Sequence, residues 1–206
     1  MLIGYIAGAL AFMQLIPYLT SIFRGHTKPE RATYAIWSLV NLVLLLSYVA
    51  SGASTTIWVA LAYTLSSILI FGLSFRYGVG GYSRFDIVCL LLAFVGIVFW
   101  VSTSNFLVAL YFSIAVKALG VVPTLRKVYY RPDTENRLSW AMCAAASIIN
   151  IFALTNLDPN ILSLPVYALL ADSAVALLVL FPKMRPRHHY RRETALYNTE
   201  TGQSYS

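Results

Sequence analysis

Four side chains stand out because each interrupts a run of apolar residues: Gln14 in "AFMQLIPY", Lys117 in "SIAVKALGVV", Asn150 in "SIINIFAL" and Asp172 in "YALLADSAVALL". Asn41 in "SLVNLVLLL" and the pair Ser66 and Ser67 in "YTLSSILI" are milder interruptions of the same kind. A charged group inside hydrocarbon costs a few kcal/mol or more, so it faces a cavity or a partner rather than lipid. Lys117 offers N–H donors and a positive charge to a carboxylate; Asp172 accepts from an ammonium or carries a proton. Two readings follow for the pair. One is a silent buried salt bridge, which stabilises little. The other is a site for a solute carrying both charges, which favours an amino-acid-like or carboxylate molecule over a neutral sugar. For Asn41 and Asn150 taken singly, a hydrogen bond between helices is the simpler role.

The elements that must position these groups are read from apolar runs of roughly 20 residues, the length that crosses ~30 Å of hydrocarbon. Composition agrees: the chain is 59% hydrophobic and only 11% charged, with a mean hydropathy of +0.70, whereas a soluble domain is about a quarter charged. Seven spans are expected, near 2–23, 34–52, 56–75, 85–103, 105–127, 138–157 and 161–181. The expected class is therefore an all-α membrane protein. Counting 1.5 Å per residue puts Gln14, Lys117 and Asp172 roughly 16–18 Å below one face, and Asn150 at a similar depth from the other. Ser66 and Ser67 reach nearly the same level. One polar layer at the midplane is the expectation.

Basic residues set the direction. Arg24, Lys28 and Arg31, then Arg76 and Arg84, then Arg126, Lys127, Arg131 and Arg137, then Lys183 to Arg192 all fall in alternate connections, and the remaining connections carry none. Cationic loops stay on the cytoplasmic side, so the N-terminus is expected outside and the C-terminus inside. The same rule accounts for the net charge of +7 without nucleic acid. Trp37, Trp58, Trp100 and Trp140 fall near span ends, where interfacial rings are expected and no tryptophan stands at the midplane. No basic stretch precedes the first apolar run at Leu2, so that helix is expected to be retained. Cys89 and Cys143 lie inside spans and imply neither disulfide nor metal. His188 and His189, in the basic tail, are too few ligands for a metal site. No nucleophile–base pair or phosphate loop is evident, so no enzyme activity and no cofactor is expected.

The chain also repeats itself. Pro17 and Pro123 align at an offset of 106, and so do Leu19 with Leu125, Arg31 with Arg137, Thr33 with Ser139 and Tyr34 with Trp140. "LAYTLSS" at 61–67 resembles "PVYALLADS" at 165–173 at a slightly different offset. Two three-helix units, 1–76 and 105–182, are expected around a linker helix at 77–104, followed by a basic tail at 183–206. An odd number of helices per unit needs that linker if both units are to point the same way, which gives a parallel repeat. A proline inside a helix removes a hydrogen bond and kinks the axis, so Pro17 and Pro123 are candidate hinges. Gly4 and Gly8 form a small-residue stripe expected to serve internal packing.

This 3+1+3 order, with a proline near the inner end of the first helix of each unit, a basic loop, and then Thr33-Tyr34 or Ser139-Trp140 opening the next helix, resembles the PQ-loop/SWEET superfamily. The pairs here are Pro17-Tyr18 and Pro123-Thr124, without the glutamine of the usual motif. The resemblance covers residues 1–181 and implies a small-solute carrier working by alternating access, with its site between the units, in the cell membrane. Its partners would be the solute and the bilayer, and a homo-oligomer is compatible. Proton coupling through Asp172 is one version. In sugar-carrying relatives asparagines and a central tryptophan contact the substrate, which leaves a sugar facilitator as an alternative. The resemblance to KDEL-receptor-like folds leaves a receptor or sorting protein as another. A retinal protein also has seven spans with an internal lysine and aspartate, but such proteins resemble a pattern with the lysine on the last helix, and here it is on the fifth.

Overall fold

The structure, a computed structural model, describes residues 2–50, 56–80, 106–155 and 157–182, with scattered positions between 87 and 102. Among the described residues every regular element is helical, apart from one backbone bridge between Glu30 and Val79. The helices are α1 (Leu2–Met13), α2 (Leu15–Phe23), α3 (Arg31–Ala50), α4 (Ile57–Tyr77), α5 (Phe106–Tyr130), α6 (Arg137–Phe152) and α7 (Pro159–Leu180). Three stretches are long and apolar enough to cross a membrane: Leu2–Phe23, Ile57–Tyr77 and Ile161–Leu180. Arg31–Leu46 and Arg137–Phe152 are shorter apolar helices. The described positions between Ile87 and Ser102 are helical and exposed. Arg84, Cys89, Trp100 and the tail with His188 and His189 lie outside the described residues.

Polarity runs inside out. Leu2, Phe23, Phe75, Phe152, Leu170 and Leu177 point outward and are exposed, while Gln14, Asn41, Ser66, Lys117 and Asp172 are buried. A water-soluble monomer does not present so wide an apolar exterior. The helices pack as a closed ring in the order α1, α4, α3, α5, α7, α6 and back to α1. The exterior fits lipid, and the polar groups face the middle of the ring.

Hydrogen bonds fix the direction of the helices. Val79, just past α4, donates to Pro29 O, and Arg31 N donates to Val79 O. Lys28 N donates to Thr134 O, between α5 and α6. The ends of α2, α4 and α5 therefore meet at one end of the ring. Val179, late in α7, packs with Val128, late in α5, at the same end.

The two prolines behave differently. Pro17 cannot donate to the carbonyl of Met13, and its ring crowds that turn; the helix is interrupted at Gln14, between α1 and α2. Pro123 sits inside α5, which runs unbroken to Tyr130. The sequence treats the two as equivalent, whereas only the first divides its helix.

Gly8 lets α1 lie against α4: a Cβ there would fall 2.5 Å from Trp58 Cβ. Gly4 and Gly8 are both buried, as expected of internal packing. Gly8→Ala must push the helices apart, and overpacking of this kind costs about 1–3 kcal/mol. The expected result is a clear fall in the melting temperature of the purified protein. An unchanged melting point would mean that α1 and α4 are not in contact there.

Candidate functional site

A cavity of about 60 Å³ lies inside the ring, walled by residues from α2 to α7 and by Gln14 at the α1–α2 break. Its polar wall includes Gln14 at the α1–α2 break, Asn41 on α3, Ser66 and Ser67 on α4, Lys117 on α5 and Asp172 on α7. Five of the six polar residues expected in one layer are thus brought together, and Asn41 joins them. Asn150 is the exception. It lines a neighbouring cavity of about 20 Å³, whose wall shares Asn41, Tyr63, Lys117 and Ala168 with the first.

Lys117 and Asp172 both face the larger cavity, yet they form no ion pair with one another. Of the two readings of the pair, the direct salt bridge is not formed, because each group is held by other partners. Lys117 Nζ donates to Asn41 Oδ1 (2.7 Å) and lies 5.5 Å from the centre of the Tyr167 ring, a cation–π distance. Asp172 Oδ2 accepts from Tyr63 OH (2.7 Å) and from Ser147 Oγ (2.6 Å). Tyr63 OH also stands 3.2 Å from Ser147 Oγ. The two halves are joined by Asn41, whose Nδ2 donates to Tyr63 O (3.3 Å) and to Ser67 Oγ (3.1 Å). One network therefore ties five helices together around the cavity.

Much of this set is silent in the sequence. Tyr63, the hub of the network, counts there as one more apolar aromatic, as does Tyr167. A signal did exist: the two tyrosines align in "LAYTLSS" and "PVYALLADS". Trp37 and Trp140, expected in an interfacial belt, line the cavity instead. Trp140 is only 4% exposed, and their rings meet edge-on with centroids 6.4 Å apart. The cause is a partner, since Trp140 Nε1 donates to Glu135 Oε2 (2.9 Å) and an indole N–H with an internal acceptor turns inward. Ser66 Oγ and Asn150 Oδ1 are buried without a hydrogen-bond partner.

Below Trp140 the ring is closed by a latch. Lys127 is buried, pairs with Glu135 and donates to Lys28 O (2.8 Å). The sequence places Lys127 among the basic residues of the fifth connection; α5 runs past it to Tyr130, and the side chain lies in the interior. Thr124 Oγ1 donates to Thr33 Oγ1 (3.1 Å) beside it. Among the described residues no group of three His, Cys, Asp or Glu side chains is placed to hold a metal ion.

No family model matches this chain, and neither a curated protein nor a solved structure does. The site therefore has to be read from its own chemistry.

Proposed function

We propose that this chain is a seven-span carrier of a small polar organic solute, amino-acid-like or carboxylate, working by alternating access in the manner of the PQ-loop/SWEET superfamily. The observation that carries the reading is a buried cavity between six helices that holds a lysine and an aspartate unpaired with each other. Substrate sites of secondary carriers lie near the bilayer midplane at the interface between repeats.

Two further observations support it. The packing pairs match under the repeat: α1 with α4 corresponds to α5 with α7, α3 with α4 to α6 with α7, and α1 with α6 to α5 with α3. Also, α4 ends at the latch, whereas α5 reaches the latch only at its far end. The fourth span expected from the sequence would join these opposite ends of the ring, with the N-terminus outside and the C-terminus inside.

A sugar facilitator is the second reading, favoured by Asn41, Trp37 and Trp140 on one cavity wall. Flux decides between the classes. Proteoliposomes containing the purified protein are expected to equilibrate a labelled amino acid or carboxylate in both directions, and Asp172→Asn to abolish this. Binding with no flux in either direction would mark a receptor. Flux of glucose alone would select the sugar reading.

A further inference from the structure

The charges in the cavity go further than a solute class. Lys117 is 7% exposed and uses one hydrogen bond, to Asn41, so two of its three ammonium donors are free. Asp172 is 9% exposed; both of its bonds fall on Oδ2, and Oδ1 accepts none. A positive group and a negative group thus stand in one cavity with unmet valence and no bond between them. Ser66 Oγ, buried and unpartnered, is on the same wall.

Ligand charge can be decided from this. A lone carboxylate would satisfy Lys117 but put a second negative charge beside Asp172 in a poorly hydrated space, and a lone amine would do the converse beside Lys117. A neutral sugar would neutralise neither. A zwitterion satisfies both at once and leaves the net charge of the site unchanged.

Ligand size follows from the space. The cavity, at about 60 Å³, is less than half the roughly 150 Å³ that takes up benzene. The rest of the lining is mostly aromatic, with Tyr18, Tyr34, Trp37 and Trp140 beside Ile70 and Cys143; the space these rings leave suits a short side chain and has no room for another aromatic one.

Resting on the carrier reading above, the geometry points to a small neutral α-amino acid of the size of glycine or alanine as the ligand. Its carboxylate meets the free donors of Lys117, its ammonium meets Oδ1 of Asp172, and any side chain turns toward Cys143 and Ile70.

The test is a binding panel on the purified full-length protein, read by thermal shift and repeated as flux in proteoliposomes. The panel is glycine, L-alanine, propionate, ethylamine, L-phenylalanine and D-glucose. Losing one charge-assisted contact weakens binding about ten- to a hundredfold, so glycine and alanine are expected to outbind propionate and ethylamine by that factor. Phenylalanine should produce no shift. Asp172→Asn should reduce alanine to the affinity of propionate, and Lys117→Gln to that of ethylamine. Propionate binding as tightly as alanine would overturn the zwitterion while leaving a carboxylate carrier standing. Phenylalanine binding as tightly would overturn the size limit. Glucose flux without amino acid flux would overturn the zwitterion in favour of the sugar reading. Neither binding nor flux with any of the six would remove both the inference and the carrier it rests on. Should either variant fail to fold, the panel on the parent protein still decides.

Discussion

Glu135→Ala is expected to be the most destabilising single change in the chain, lowering the melting temperature by about 10 °C or preventing folding. Glu135 and Lys127 have side chains 1% and 2% exposed, so alanine leaves an ammonium in the interior with only the Lys28 carbonyl to meet it. Removing one member of a buried pair costs about 3–5 kcal/mol, and each kcal/mol moves the melting point of a chain this long by roughly 2–4 °C. Trp140 loses its acceptor in the same step, which adds an unsatisfied donor. Replacing both members with apolar residues of similar volume, as in Lys127→Met with Glu135→Leu, should recover most of the loss, because no charge is then stranded. Thermal unfolding of the three proteins in one detergent checks this. A single variant as stable as the parent would show that Lys127 reaches water.

Tyr63→Phe is expected to leave the fold intact and reduce solute affinity by about ten- to a hundredfold, the worth of one hydrogen bond to a charged group. The ring remains, so packing between α4 and α6 changes little. What disappears is the donor to Asp172 Oδ2, one of two that hold the carboxylate in place. With Ser147 alone, the carboxylate is free to rotate Oδ1 away from the cavity. Titration of the best ligand from the panel measures the effect. The melting point serves as the control, since a purely structural tyrosine would lower both together. Equal affinity in parent and variant would remove Tyr63 from the site.

The helices, and the level of the polar residues along them, were legible because both depend on chain length. Apolar runs mark the helices, and 1.5 Å per residue brings Gln14, Ser66, Ser67, Lys117 and Asp172 to a common level. Which way a side chain points around its helix is a different quantity, and it was legible only for groups that cannot tolerate lipid. Lys117 had to face inward. Tyr63, Trp37 and Trp140 tolerate lipid, so their inward positions depend on partners that only packing brings near. Lys127 was misread for a related reason: it sits where helix gives way to loop, and helix ends are the least certain boundaries to read. Asn150 came to the expected level but turned into the smaller cavity, because depth alone does not fix rotation about the helix axis.

The two seams between the proposed units have a particular texture. Ala7 and Ala11 of α1 meet Ala146 of α6 at one seam, and at the other Gly120 of α5 lies under Ile36 of α3, where a Cβ would come within 2.9 Å. Under the proposed alternating access, side chains this small have no rotamers to reset, so at these two points the units would shift with few knobs to lift out of holes. Resistance to rocking would then come from the latch, the cavity network and the packing of Ile36, Val40 and Leu44 on Leu110 and Val116. A solute that loosens one of the first two while bridging the other would set the timing of the whole cycle.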